Sequence, residues 1–241
     1  MTPGFGKWRA AWWQYWKMLE KMAEFFEARL KGYDVHMLTE IEGAGEFYPF
    51  TADLLPASPG CRILDLGCGT GLELEYYFRR CPDARVTGID LSEGMLGALK
   101  EKFPDKALTL IRGSYFDTEL GREIFDGAVS VESLHHFTEA EKFPLYRRLC
   151  GALKPGSSFI LTDYFAPNQD YQDFYRGELL RLKAMQGIPE EEFYHYDTPL
   201  TVDNETEVLL AAGFCHVECL GQWGCTCTLR ATKYKEKDHA L

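Results

Sequence analysis

The sequence has little clustered positive charge and no long apolar run. Its 241 residues carry 26 Lys and Arg against 37 Asp and Glu, a net charge of −11, and no basic block is longer than Arg79-Arg80 or Arg147-Arg148. Because phosphate binding depends on clustered Lys and Arg, we expect no nucleic-acid partner. No stretch approaches the roughly 18 apolar residues of a membrane-spanning helix, so we expect no membrane span.

The N-terminus also lacks the apolar centre and the small-residue cleavage site of a signal peptide. The eight cysteines need no disulfide framework, because a chain of this length buries roughly 70–75% of its unfolded surface. Cys225-x-Cys227 has the spacing of a strand and not that of a zinc-binding turn, so we expect no metal there. These absences predict reduced thiols and a cytoplasmic location.

Aromatic residues are concentrated near the N-terminus. Between residues 8 and 30 apolar side chains recur at steps of three or four, which predicts one amphipathic helix. The stripe consists of Trp8, Trp12, Trp16, Leu19, Met22 and Phe26. We expect this helix to dock on its own domain, with a homodimer contact or a membrane-surface helix through the Trp residues as the alternatives.

From residue 61 onward, short apolar runs alternate with amphipathic stretches. The predicted strands are 61–66, 85–89, 107–111, 126–131 and 159–164, and the predicted helices between them include 72–80, 92–103 and 139–153. This alternation predicts a mostly parallel sheet with helices on both faces. Two closing strands, 214–220 and 224–232, are joined by a turn too short for a crossover, so they must pair antiparallel. The sheet then has seven strands.

We expect a single domain over residues 1–241 with four parts. Residues 1–56 form an N-terminal helical cap, and residues 61–165 form the core. A helical insertion at 166–200, rich in Tyr and Phe, follows the fifth strand as a lid. A helix over 201–212, capped by Thr201 or Asp203, and the closing hairpin complete the domain at 201–232.

The most informative segment is Ile63-Leu64-Asp65-Leu66-Gly67-Cys68-Gly69-Thr70-Gly71, where the first core strand passes into a helix. Glycines there allow a tight turn and let backbone amides approach a ligand. A dinucleotide loop has Gly-x-Gly-x-x-Gly, and here the third glycine comes one residue early, which disfavours a nicotinamide oxidoreductase. Asp90 ends the second strand, where a carboxylate can bind both ribose hydroxyls. Together these features predict a nucleoside-bearing cofactor.

Four segments resemble the motifs of the class I S-adenosylmethionine-dependent methyltransferases, and the resemblance extends over about residues 33–232. The segments are the glycine loop at 65–71, Gly88-Ile89-Asp90-Leu91-Ser92, Phe125-Asp126-Gly127-Ala128-Val129-Ser130, and Leu153-Lys154-Pro155-Gly156. The resemblance implies a Rossmann-like, doubly wound α/β fold, S-adenosylmethionine as the cofactor, and methyltransferase activity. A non-catalytic S-adenosylmethionine-binding or oligomeric interaction protein is the alternative.

The resemblance also implies which residues hold the methionine part of the cofactor. Gly67 and Gly69 would pass close to it, together with Asp65 and the backbone of Cys68 in the same loop. Tyr33 lies in a segment that resembles the one folding over the cofactor in small-molecule methyltransferases, and it could reach the methionine carboxylate. Packing is the alternative role of this tyrosine.

On the adenosine side, the resemblance implies that Asp90 binds the ribose hydroxyls and that Leu91 packs on the adenine. The segment flanking the adenine amino group usually has an acid directly after its glycine, whereas this chain has Ser114. The contact could therefore come from the Ser114 hydroxyl, the Tyr115 amide or Asp117.

Candidates for acceptor chemistry follow the fourth strand, at the edge of the sheet where ligands bind in α/β proteins. Glu132 is expected to be a cofactor-binding residue. His135 and His136 are candidate general bases, since an imidazole has a pKa of about 6.5. His195, in the lid, is a further candidate. Methyl transfer from a sulfonium needs mainly positioning, and a base only where the acceptor carries a proton. The histidines could instead pack under the cofactor or cap a helix.

Two further inferences concern the same segment after the fourth strand. Neighbouring histidines rarely converge on a metal without other ligands, so we expect no metal. The segment also lacks the Asn/Asp-Pro-Pro-Tyr of family members that methylate exocyclic amines of nucleic acid. A small-molecule acceptor is therefore expected.

Overall fold

A computed structural model of the protein describes residues 18–190 and 192–235. Within these ranges the chain forms eight α-helices and seven β-strands. In chain order they are α1 (Met22–Arg29), α2 (Tyr33–Glu40), α3 (Ala44–Leu54), β1 (Arg62–Leu66), α4 (Leu72–Arg80), β2 (Arg85–Asp90), α5 (Glu93–Lys102), β3 (Ala107–Arg112), β4 (Phe125–Val131), α6 (Glu139–Ala152), β5 (Leu153–Tyr164), α7 (Gln169–Gln186), α8 (Val202–Ala211), β6 (Phe214–Trp223) and β7 (Thr226–Lys233). A short 3-10 helix, Leu134–His136, follows β4.

The seven strands form one sheet in the order β3-β2-β1-β4-β5-β7-β6. The first five strands pair in parallel, and β7 pairs antiparallel with both β5 and β6. The expected doubly wound, mostly parallel sheet with a closing antiparallel hairpin is therefore confirmed. The strand order reverses between β1 and β4, which is the place where open α/β sheets bind their ligands.

Alternating side chains of the strands divide the core into two layers. On one face Ile63 packs in a cluster with residues of α3, α4 and α5, including Phe47, Leu74 and Leu99. On the other face its neighbour Leu64 packs in a cluster with Leu149 of α6 and residues of α8 and the hairpin. Because both faces are covered at the centre of the sheet, β1 and β4 are buried along nearly their whole length, whereas the edge strand β3 is only partly buried.

Several helix starts follow from local capping. The Ser92 hydroxyl accepts the N–H of Met95 at 3.1 Å and caps α5, as predicted. The Thr201 hydroxyl accepts the N–H of Asn204 at 3.2 Å, so Thr201 rather than Asp203 caps α8. Each such cap contributes about 1 kcal/mol to helix stability.

Three details differ from expectation. The helix predicted from residue 8 is not continuous through residues 18–21, because Lys21 pairs with Tyr194 in an isolated bridge and α1 begins only at Met22. Helix α2 was not predicted, since its apolar spacing is weak. Strand β5 begins at Leu153, which pairs with Phe125, instead of at residue 159.

Trp8, Trp12 and Trp16 of the N-terminal stripe fall within residues 1–17, which are outside the described part of the chain. The prediction of a homodimer contact through these residues therefore also lies outside the described residues. Within the described residues, no helix has the length and apolar character required to cross a membrane. The candidate site lies on the carboxyl edge of β1, β2, β4 and β5.

Candidate active site

The loop joining β1 to α4 adopts a backbone conformation that favours glycine. Gly67, Gly69 and Gly71 have φ angles of 74°, 48° and 71°, in the left-handed region. The N–H of Gly67 donates to the carbonyl of Ile89 at 2.9 Å, which ties the loop to the end of β2. A Cβ on Gly67 would overlap the Ser133 side chain, whereas no atom lies within 4 Å of a Cβ built on Gly69. The backbone at Gly69 therefore faces open space.

Asp90 bridges this loop to α5. One carboxylate oxygen accepts the N–H of Gly69 at 2.9 Å, and the other accepts the N–H of Ser92 at 2.9 Å. Burial raises the pKa of the Asp90 carboxyl, although the N–H groups of Ser92 and Gly69 act in the opposite direction. These two hydrogen bonds fix the orientation of the carboxylate at the tip of β2.

Below the loop, Asp65 and Glu73 form a buried carboxyl pair with exposed fractions of only 1% and 4%. Burial raises the pKa of Asp65 well above its ordinary value, and the neighbouring charge and hydrogen bond of Glu73 raise it further. Oδ2 of Asp65 and Oε1 of Glu73 accept no hydrogen bond from another described group. A proton held between the two carboxyl groups, which the raised pKa of Asp65 favours, would join them as a hydrogen-bonded pair beneath the loop.

A cavity of about 510 Å³ opens beside the tip of β2. It is lined by Ala23, Glu24, Glu27 and Ala28 of α1 and by Leu91, Ser92, Glu93 and Arg112 on the sheet side. Leu91 thus lies where the sequence places an adenine. The cavity is lined by Leu91 and Ser92, the two residues that follow Asp90, and its volume offers room for a nucleoside.

The segment after β3 also borders the nucleoside side of the site. The Ser114 hydroxyl accepts the N–H of Phe116 at 3.1 Å, so its closest partner belongs to its own turn. The Tyr115 hydroxyl lies 3.3 Å from the Ser133 hydroxyl, and its ring is buried. Burial raises the pKa of Tyr115, although its hydrogen bond to Ser133 lowers it. These contacts tie the segment to the residues that follow β4.

Between the glycine loop and the end of β4 lie Tyr33 and Glu132. Burial raises the pKa of Tyr33, and the negative charges of Asp90 and Glu132 raise it further. Glu132 has a φ of 50°, rare for a residue other than glycine, and its carboxylate accepts the Thr226 hydroxyl at 3.1 Å. Burial raises the pKa of Glu132 to about 7, although the charge of His135 lowers it. Such strained backbone is commonly found at functional sites.

The central contact on the acceptor side joins His135 to Asp163. Nδ1 of His135 lies 2.5 Å from Oδ1 of Asp163, which ends β5. The other oxygen of Asp163 accepts the N–H of Leu134 at 2.9 Å. With both oxygens of Asp163 engaged, the imidazole is held in one orientation and presents Nε2 to the lid side of the site.

Residues of the expected lid insertion, 166–200, complete the cluster. Oδ1 of Asp197 lies 3.6 Å from Nε2 of His135 and 3.4 Å from Nδ1 of His136. The N–H of Thr198 donates to the carbonyl of His135 at 2.8 Å, which ties the lid segment directly to the end of β4. The His195 ring lies 4.8 Å from the His136 ring, so the three predicted histidines are neighbours in space.

The three imidazoles have different proton affinities. Burial lowers the pKa of His135, but the charges of Asp163, Asp197 and Glu132 outweigh it and raise the pKa to about 9. Burial lowers the pKa of His136, and the charge of His135 adds to this effect. Burial lowers the pKa of His195 to about 2. At neutral pH only His135 therefore carries a proton on both nitrogens.

Ligand-type atoms come together at two points of this cluster. One atom each from His135, His136 and Asp197 lie within 4.8 Å of one another, as do atoms from Glu132, His135 and Asp163. The expectation of no metal assumed that the neighbouring histidines have no further ligands nearby, and the structure places Asp163 and Asp197 beside them. The absence of a bound metal stays a prediction.

All fourteen residues singled out from the sequence, Asp117 included, lie along the carboxyl edge of the sheet or in the segments that border it. Cys68 is buried, and its Sγ fills the space beside Gly88, consistent with a packing role for the side chain. Sequence reasoning missed Asp163, Glu73 and Asp197. Asp163 could have been identified by its position at the end of a predicted strand, whereas nothing local marks the other two.

Comparison with known proteins gives a consistent family match. Residues 63–156 match the model of a methyltransferase domain. An uncharacterised methyltransferase of Synechocystis sp. is 31% identical over 128 residues, covering 53% of this chain and 58% of the relative. A demethylmenaquinone methyltransferase of Symbiobacterium thermophilum is 30% identical over 154 residues, covering 60% of this chain and 59% of the relative.

The chain spans about half the length of the curated relatives that it matches. Among solved structures, a phosphoethanolamine N-methyltransferase of Haemonchus contortus superposes with a TM-score of 0.64 at 19% identity. That alignment covers 82% of this chain and 44% of the other, whose structure contains phosphomonomethylethanolamine and S-adenosylhomocysteine. At this identity the similarity shows a shared fold.

Proposed function

We propose that this chain, whose residues 63–156 match a methyltransferase domain, is a class I S-adenosylmethionine-dependent methyltransferase that transfers a methyl group to a small-molecule acceptor. The observation that carries the proposal is the Asp90 carboxylate, fixed between Gly69 and Ser92 beside a nucleoside-sized cavity. S-adenosylmethionine supplies a methyl group already activated on a sulfonium. The protein's contribution is then positioning and exclusion of water, which can supply roughly 7–11 kcal/mol.

The residues present fit this cofactor. Asp90 would accept the two ribose hydroxyls, Leu91 would pack on the adenine, and Ser114 or the Tyr115 amide would face the adenine edge. The open space above Gly69 leaves the loop backbone accessible to the methionine part. A dinucleotide would need a third glycine where this chain has Leu72, so the loop favours the sulfonium cofactor.

At the methionine end, the buried carboxyl pair of Asp65 and Glu73 would accept from an ammonium group or from a water bound to it. Gly67 and the Cys68 backbone would line the same region, with Tyr33 and Glu132 closing it from the other side. Three carboxyl groups around this point would thus offer oxygen acceptors to the ammonium group of an amino-acid sulfonium.

On the acceptor side, we assign His135 the role of proton acceptor. Asp163 holds its Nδ1, and because the pKa of His135 is raised to about 9, the neutral ring that forms at alkaline pH is the species whose Nε2 takes a proton from an acceptor hydroxyl, amine or thiol. His136 and His195 are assigned to lining the acceptor pocket as neutral imidazoles, because burial keeps their pKa values low. A base with a raised pKa suits acceptor groups that themselves have a high pKa, such as phenols and amines.

The acceptor is proposed to be small and not a nucleic acid. The net charge of −11 repels a polyanion. The cluster of Glu132, Asp163 and Asp197 would repel phosphates at close range. The rings of Phe25 and Phe26 contact His195 and His136, Tyr33 packs against Phe26, and these aromatic groups suit an acceptor with an apolar body.

Calorimetry followed by a turnover screen tests the proposal. We expect the purified protein to bind S-adenosylmethionine in the micromolar range and to bind NAD far more weakly. A panel of phenols, amines, carboxylic acids and thiols is then assayed for release of S-adenosylhomocysteine, with His135→Gln as the inactive control. Preference for NAD, or no binding of either nucleotide, would overturn the assignment.

A further inference from the structure

Helix α1 contributes to both halves of the site. Ala23, Glu24, Glu27 and Ala28 line the nucleoside cavity. On the same helix, the Phe25 ring stacks on His195 with centroids 3.4 Å apart, and the Phe26 ring lies 6.3 Å from His136. Eight residues thus form a wall of the cofactor cavity and a wall of the acceptor pocket.

Glu27 fastens this helix to the cofactor half. Its Oε2 accepts the Ser92 hydroxyl at 2.6 Å and the N–H of Gly94 at 3.1 Å, both at the start of α5 and next to Asp90. These hydrogen bonds, that of Ser92 first, hold the pKa of Glu27 below its ordinary value. A Cβ on Gly94 would lie 2.6 Å from Oε1 of Glu27 and 2.8 Å from a methyl of Leu30, so the two helices meet with no spare room.

The other end of α1 is fastened to the lid. The carbonyl of Glu20 accepts the N–H of His195 at 2.9 Å, and Lys21 pairs with Tyr194 in a two-residue bridge. The guanidinium of Arg29 lies 3.6 Å from the Phe25 ring centroid, and Phe25 also stacks on His195. The helix therefore connects the first turn of α5 to the lid segment 194–198, which carries Asp197.

We propose that Glu27 is a positioning residue whose hydrogen bonds to α5 couple cofactor binding to the ordering of the lid over the acceptor. The inference rests on the proposed function, since it assumes that the cavity takes S-adenosylmethionine. A bound adenosine would pack against both Leu91 and α1, and it would thereby stabilise the contact between Glu27 and the start of α5. Because α1 and the lid are joined through Glu20, Lys21 and Phe25, the lid segment becomes ordered with it.

The test measures cofactor affinity and hydrogen exchange in wild type, Glu27→Ala and the control Glu101→Ala. Glu101 is an exposed glutamate on α5 and is not among the residues that line the cavity. We expect Glu27→Ala to raise the Kd for S-adenosylhomocysteine about tenfold, as the loss of charge-assisted hydrogen bonds predicts, and Glu101→Ala to change it less than twofold.

Hydrogen exchange distinguishes this coupling from a purely structural role of Glu27, because a structural role would not change the ligand-dependent protection of residues 194–198 selectively. In wild type, S-adenosylhomocysteine should slow exchange in the glycine loop, in α1 and in residues 194–198. In Glu27→Ala at saturating ligand, the glycine loop should still be protected while residues 194–198 are not. Glu27→Gln, which keeps an oxygen acceptor of the same length, should restore part of the lid protection.

Unchanged affinity and intact lid protection in Glu27→Ala, with a wild type that binds the ligand normally, would overturn this inference and leave the proposed function standing. A wild type that binds no S-adenosylhomocysteine would overturn both. If Glu27→Ala does not fold, Glu27→Asp carries the same test, because the shorter side chain cannot reach Ser92 and Gly94 together.

Discussion

Replacing Asp163 by Asn tests the proton-acceptor assignment. Asn keeps the shape of the side chain, so His135 stays in place, but it removes the charge nearest to the imidazole. The pKa of His135 is raised from about 6.5 to about 9 against the opposing effect of burial, and Asp163 is the first of the charges responsible. The charged ring is therefore favoured in the folded protein, although burial alone would favour the neutral ring. Without the carboxylate, burial dominates and the pKa should fall by at least one unit.

The assay is the pH dependence of kcat/KM, which reports the pKa of the base in the free enzyme. For wild type the rate should rise with pH until about pH 9, since only the neutral imidazole can take a proton. For Asp163→Asn the rising limb should move to lower pH, with a lower plateau because the base is weaker. An exposed control, Asp105→Asn, should leave the limb in place. A limb that stays near pH 9 in Asp163→Asn would refute the assignment.

Three further predictions concern stability, the glycine loop and metal. The folded pKa of His135 exceeds that of the unfolded chain, so its stabilisation is complete below about pH 6.5 and is lost as pH rises through about 9. The difference in unfolding free energy between wild type and His135→Gln, measured in urea, should therefore shrink across this interval, and a constant difference would argue against the ion pair. Gly67→Ala should weaken S-adenosylmethionine binding at least tenfold, about 1.4 kcal/mol, because its Cβ would overlap Ser133 and the φ of 74° is unfavourable for alanine; calorimetry showing wild-type affinity would contradict the loop assignment. Dialysis against a chelator should leave turnover unchanged, and restoration of a lost activity by a divalent metal would instead favour the His135–His136–Asp197 group as a metal site.

The central part of the fold could be predicted because its determinants are local. The strand at 62–66, the glycine turn and the helix at 72–80 are encoded within twenty consecutive residues. The parallel sheet follows from the alternation of elements, and the antiparallel hairpin follows from a short turn. Asp90 was identifiable for the same reason, since its position at the end of a strand determines where its carboxylate points.

The acceptor cluster depends on contacts between distant parts of the chain. Asp163 and Asp197 reach His135 across sequence separations that no local periodicity records. The lid segment 192–198 has no regular secondary structure apart from its bridge to Lys21, so hydrophobic patterning could not orient Asp197 or His195. The same holds for α1, whose start at Met22 is set by that bridge and not by the aromatic stripe.

The central claim is that the glycine loop and the Asp90 carboxylate bind the adenosyl part of S-adenosylmethionine. The most direct measurement is a calorimetric titration of wild type and Asp90→Ala with this compound under identical conditions. We predict micromolar binding by wild type and a Kd raised at least tenfold in Asp90→Ala, which corresponds to a loss of about 1.4 kcal/mol of binding free energy. Equal affinity in the two proteins, or no binding by wild type, would contradict it.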